Sequence, residues 1–78
     1  SSTRVAYVLP AEGPVRLAVY DVAGRRVALL VDEVQPAGGH EAVWDGRSES
    51  GRRAAPGIYF LKLVAGDGSR MVKALLAR

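Results

Sequence analysis

Apolar residues recur at every second position along most of this chain, and that period of two restricts it to β-structure. Val5, Tyr7 and Leu9 alternate with Arg4, Ala6 and Val8, and Val15, Leu17 and Val19 alternate with Arg16, Ala18 and Tyr20. Successive side chains of a strand point to opposite faces, so each run reads as a strand with one buried face. Turn formers separate the runs. Pro10-Ala11-Glu12-Gly13-Pro14 is the first break, and its prolines are expected to stop the strands on either side because they cannot donate to a ladder. Asp21-Val22-Ala23-Gly24 fits a type I turn closed by a left-handed residue, which sends the chain back along a hairpin from Val27 to Val31. Val27, Leu30, Val31 and Val34 also fit helical spacing; the β-branched content and the stop at Pro36 favour a strand.

The second half keeps the period. His40, Ala42 and Trp44 fall on one face and Glu41 and Val43 on the other. Arg47 to Pro56 is a long polar connection, with a short edge strand expected near Arg53 to Ala55. Gly57 to Ala65 is apolar on both faces, with Tyr59, Leu61 and Leu63 against Ile58, Phe60 and Val64, and only Lys62 interrupting. A run of that kind suits a central strand. Gly66-Asp67-Gly68 forms a tight turn and Ser69 to Ala77 the last strand. The expected architecture is all-β, with six or seven short strands at intervals of ~8–12 residues, the spacing of a sandwich or barrel.

A chain of 78 residues makes one domain. Such a domain buries only about 60% of the surface its unfolded form exposes. It contains no cysteine, so apolar strands rather than disulfides must hold it together, and a 49% hydrophobic composition supplies them. The formal charge is +3. Arg25-Arg26 and Arg52-Arg53 each follow a glycine at a turn, where long cationic side chains stay solvated, and no basic run has the length of a nucleic-acid patch. No stretch approaches the ~18 apolar residues of a membrane span. The first residues do not have the charged and apolar regions of a signal peptide. The start at Ser1-Ser2-Thr3, without an initiator Met, is expected of a domain cut from a longer polypeptide.

Chemistry-bearing residues are sparse. His40 is the one histidine; without cysteine it makes no N/S zinc site, and it has no nucleophile placed beside it. Asp32-Glu33, Asp45 with Glu49, and Asp67 could pair as in glycoside hydrolysis, but all sit at expected turns or strand ends, where carboxylates bond backbone. Asp45 to Glu49 does not have the alternating oxygen ligands of a calcium loop. Of five aromatic residues, Tyr7, Trp44 and Tyr59 fall on core faces, which leaves Tyr20 and Phe60 for a sugar-stacking platform. Trp44 is expected to plug one end of the core and Asp45 to cap the turn through Gly46. Gly57 is expected to mark a close backbone approach, and the Tyr59 hydroxyl to bond back to the preceding loop as in a tyrosine corner. No catalytic residue, cofactor or metal ligand is assigned.

The ordered set Thr3 to Pro10, Val15 to Val27, Gly39-His40, Trp44-Asp45-Gly46, Gly51, Gly57-Ile58-Tyr59 and Lys73-Ala74-Leu75-Leu76 resembles the C-terminal sorting domain of the type IX secretion system of Bacteroidota. It is also similar to the immunoglobulin-like domain of the flagellar hook-capping protein, which shares the half from Trp-Asp-Gly to Gly-x-Tyr. The resemblance implies an immunoglobulin-like antiparallel β-sandwich of about seven strands over residues 1–78. It implies a monomeric, non-enzymatic C-terminal domain fused to a secreted hydrolase. Its partners would be that N-terminal cargo and the outer-membrane translocon, and its route the periplasm and then the cell surface. Gly57, Tyr59, Lys73, Leu75 and Leu76 match the family's terminal recognition motifs. Two features depart from the pattern: the Asn-Pro-rich lead-in is absent and the ending Ala77-Arg78 is short. The alternatives are an accessory carbohydrate-binding sandwich and an assembly module of flagellar hook-cap type.

Overall fold

The computed structural model describes residues 2–66 and 68–77. Asp67, expected in a turn and as a candidate carboxylate, and the terminal Arg78 lie outside the described residues. The fold is all-β. Its strands are β1 (Thr3–Leu9), β2 (Gly13–Asp21), β3 (Arg26–Gln35), β4 (Gly38–Trp44), β5 (Gly57–Ala65) and β6 (Gly68–Leu76). β1 and β4 form a two-stranded sheet and β3-β2-β5-β6 a four-stranded one, and every pairing is antiparallel. At about 3.3 Å per residue, a nine-residue strand spans most of the 36 Å long axis.

The chain changes sheet at its prolines. After Pro10 it leaves β1 for β2, and at Pro36 it leaves β3 for β4. Pro14 does not stop a strand as expected: it lies inside β2, opposite Val34. Pairing between β2 and β5 begins one residue later, at Val15 and Ala65, so the missing N–H of Pro14 meets no second neighbour.

The core lies between the sheets. Val5, Tyr7, Leu9 and Trp44 enter it from the small sheet, and Val15, Leu17, Val19, Tyr59, Leu61 and Leu63 from the large one. β5 is an inner strand, as its two apolar faces require. β3 explains the helix-like spacing of Val27, Leu30, Val31 and Val34. Its register against β2 slips between Leu17 and Ala18, where Leu30 is the extra residue, and again between Val19 and Tyr20, where Val27 is. Each bulge breaks the alternation, so Val27, Leu30 and Val31 all pack on the core from one strand.

The described strands number six rather than about seven. The expected edge strand near Arg53 to Ala55 is a single bridge between Arg47 and Arg53. The connection folds on itself instead: Ser48 N donates to Arg52 O at 2.8 Å and Ala54 N to Gly46 O at 2.8 Å, around turns at Gly46 (φ 84°) and Gly51 (φ 86°). A segment that satisfies its own backbone this way has no continuous edge left to offer a sheet.

The β2–β3 turn forms as the sequence requires. Gly24 is left-handed (φ 84°), and its N–H donates to Asp21 O at 3.0 Å. The Asp21 carboxylate accepts the backbone N–H groups of Ala23 and Arg25, each at 3.0 Å, and the Arg25 guanidinium at 3.1 Å. The Arg25 N–H bond is the main reason the Asp21 carboxyl is held below its ordinary value of 3.8. A group lowered in the folded chain stabilises it as the anion. That contribution is complete above the unfolded value and is lost as the pH falls through the folded one. The stability difference between wild type and Asp21→Asn is therefore expected to stay constant near neutral pH and to shrink as the pH is taken below 3.8. Urea denaturation at a series of pH values checks this, and a difference independent of pH refutes it.

Candidate functional site

The Trp-Asp-Gly and Gly-Ile-Tyr segments meet at one end of the sandwich. Trp44 ends β4 in the small sheet and Tyr59 lies on β5 in the large one, and their rings touch edge to face across the layers, with centroids 5.0 Å apart. Trp44 is 1% exposed. Each ring ties down one end of the β4–β5 connection. Trp44 Nε1 donates to Arg47 O at 2.9 Å, and the Tyr59 hydroxyl donates to Ala55 O at 2.5 Å. The second bond is the expected tyrosine corner. Asp45 caps the turn as expected, its carboxylate accepting Arg47 N–H at 3.0 Å. Gly57 serves differently from the expectation. No atom lies within 4 Å of where its Cβ would stand, and the requirement is its φ of 152°, which side chains disfavour.

The candidate catalytic groups do not converge. His40 stacks on Tyr7 with ring centroids 5.4 Å apart, and its Nε2 bonds Pro36 O at 2.7 Å. Tyr7 donates its hydroxyl to Gln35 at 2.6 Å. Glu49 pairs with Arg26 at 3.0 Å, away from Asp45. Glu33 accepts from Gln35 at 3.2 Å. Among the described residues no group of three His, Cys, Asp or Glu side chains could hold a metal ion.

The residues matched to terminal recognition motifs divide by burial. Gly57 pairs with Leu76 where β5 and β6 meet the β4–β5 connection, and Tyr59 and Leu76 are buried. Lys73 and Leu75 are exposed, on the outer face of β6. A partner could touch these two without disturbing the core.

That outer face is the part of the molecule that strand-by-strand reading missed. Tyr20 and Phe60 stand directly opposite one another on β2 and β5, and Ile58 stands opposite Leu75. Ile58, Val64, Met71 and Leu75 are exposed, Leu75 to 73%. Ala18 lies on the same face between its register neighbours Leu29 and Lys62. It is buried, yet it belongs to no part of the central cluster. The large sheet therefore carries a thin second apolar layer that no other described element covers. The signals for it were the two-sided hydrophobicity of β5 and the placing of Tyr20 and Phe60 off the core faces; the register that sets these two rings side by side comes from the sheet.

Comparison with known proteins agrees with the hook-cap half of the resemblance. The family described as FlgD Ig-like domain matches residues 1–69. Among solved structures the chain is similar to FlgD from P. aeruginosa, with 28% sequence identity and a TM-score of 0.70 over 97% of this chain and 61% of that one. The chain thus spans about three fifths of the length of that protein. No curated protein matches. Neither finding concerns a sorting domain.

The corner carries a stability prediction. Trp44→Ala removes a buried ring and is expected to cost about 3–5 kcal/mol. A core of this size rarely supplies more than about that, so the variant should be largely unfolded. Tyr59→Phe keeps the ring and leaves Ala55 O without its donor, for a loss of about 1 kcal/mol. Urea midpoints measured by circular dichroism check the order; a Tyr59→Phe loss as large as that of Trp44→Ala would contradict it.

Proposed function

The chain belongs to the family of FlgD Ig-like domains, and on that premise we propose that it is a non-catalytic assembly module of flagellar hook-cap type, which acts by presenting a rigid surface to other protein chains. The observation that carries this reading is the similarity to FlgD over 97% of the chain, which spans both sheets and the aromatic corner. The distribution of functional groups agrees with it: the polar atoms of the aromatic corner are spent on the chain's own loop, and the exposed apolar surface is a sheet face. The module works outside the cytoplasm as part of a longer polypeptide, and its partners are the proteins of the hook assembly. The expected outcome is co-sedimentation of the chain with polymerised hook filaments, without retention on insoluble glycans. Retention on glycans with no filament binding would instead select the accessory carbohydrate module.

A type IX sorting function is a second reading, and one observation favours it: Lys73 and Leu75 are exposed on the final strand, beyond the residues that the family match covers. In that reading the chain follows a secreted cargo through the periplasm and is read by the outer-membrane translocon. Truncation before Val72 is a poor test because it removes Ala74 and Leu76 from the core. The double variant Lys73→Glu, Leu75→Glu leaves the core intact and would strand the cargo in the periplasm. Unchanged secretion removes this reading.

A further inference from the structure

We propose that the outer face of the four-stranded sheet is a docking surface for an acidic polypeptide segment that carries an apolar anchor residue. The inference deepens the assembly reading, and it rests on that reading for the claim that the partner is a protein chain. The face has a defined centre. Beside the opposed Tyr20 and Phe60 lies an open depression of about 390 Å³, bordered by Asp21, Val22, Gly24, Lys62 and Met71. Tyr20 and Phe60 are half-buried and form its floor, while Met71 and Val22 rise at its sides, 58% and 73% exposed. Ile58 and Leu75 extend the apolar surface along the strands. Exposed apolar area that is contiguous, and not scattered singly, marks a contact site.

Charge selects the occupant. Lys62 and Lys73 stand on this face, beside Met71 and Phe60 in register. Neither takes part in an ion pair found among the described residues. The nearby acids are already engaged or marginal. Asp21 is bonded to Arg25, and Asp32 lies toward the far end beside Arg16. Glu49 neutralises Arg26 from the β4–β5 connection. The centre of the face is thus apolar and cationic, and it complements a segment in which Asp or Glu flanks a Leu, Phe or Trp. A second copy of this chain is a poor occupant, because a two-fold contact through this face would set Lys62 and Lys73 against their own images. A glycan is also disfavoured. The aliphatic Ile58, Met71 and Leu75 add no stacking plane to the half-buried Tyr20 and Phe60 rings, and the one carboxylate that borders the depression, Asp21, is already bonded to the Arg25 guanidinium and to backbone N–H groups.

The test is a titration of the isotopically labelled chain with a synthetic peptide that alternates Glu with Leu and Phe, followed by amide chemical shifts. Shift changes should map to residues 18–24, 58–64 and 69–75 and spare β1 and β4. A peptide with Lys in place of Glu should bind roughly tenfold more weakly or worse. The double variant Lys62→Glu, Lys73→Glu should reverse that preference, and its unchanged spectrum elsewhere reports that it folds. Added salt should weaken binding to the wild type, because exposed charges are screened beyond ~10 Å at 0.1 M. Equal binding of the two peptides, shifts confined to the small sheet, or shifts that follow protein concentration without peptide would each overturn the proposal. The last outcome would identify a self-contact instead. Failure of filament binding with peptide selectivity intact would sink the assembly reading alone, and filament binding that survives the double variant would sink the docking face alone.

Discussion

The contact between Trp44 and Tyr59 is the constraint from which the rest of this small sandwich follows. It is the point where a two-stranded sheet and a four-stranded sheet are fastened by aromatic rings, at 5.0 Å and nearly edge to face. Edge-to-face packing adds about 0.5–1.5 kcal/mol beyond burial. The more important consequence is directional. With the rings fixed, the indole N–H and the phenol O–H point out of the core toward one connection, where Arg47 O and Ala55 O accept them. A twelve-residue stretch that contains three charged side chains before Gly51, Asp45, Arg47 and Glu49, is thereby closed over the end of the core without a disulfide. Among the described residues no buried side-chain polar atom is left unpaired, so the desolvation of these side chains on closure is offset by hydrogen bonds.

Closure at that end frees the large sheet from needing a second covering layer. β5 sits between β2 and β6, so its backbone is paired on both sides. Its inward Tyr59, Leu61 and Leu63 are enough to hold it in the core. On its other side Ile58 and Val64 remain exposed and Phe60 half-buried, outside the central core. A small domain has little apolar material to spare, since its core barely outweighs the entropy of ordering it. Apolar residues kept on the outside of a central strand are thus better explained by contact than by stability.

Much of this was legible in the amino-acid sequence, and the parts that were not have physical reasons. The bounds of β5, the Asp21 to Gly24 turn and the tyrosine corner follow from alternation, turn chemistry and the reach of a phenol. The path of β3 was ambiguous because two bulges superimpose an irregular rhythm on the period of two, and a bulge depends on the neighbouring strand. Pro14 was misjudged because whether a missing N–H matters depends on which rows are paired on both sides. Gly57 was expected to mark a close backbone approach, whereas its backbone angle is what requires it. The outer face escaped because it is assembled from β2, β5 and β6, and the opposition of Tyr20 to Phe60 is a matter of register between strands about forty residues apart.

The edges of the sheets indicate why contact should run through a face. The outer edge of β1 is met by Arg70 of β6, whose guanidinium donates to Ala6 O at 2.9 Å. The outer edge of β3 is met by the β4–β5 connection, where Glu49 N donates to Val27 O at 2.9 Å. Pro36 follows directly on β3 and blocks its continuation. β6 carries Arg70 and Lys73, and long cationic side chains on an edge strand disfavour the approach of another strand. Strand addition therefore meets obstruction at the outer edges of β1, β3 and β6, whereas the Tyr20 and Phe60 face is open. A partner that recognises side chains on a preformed sheet needs no edge to be exposed.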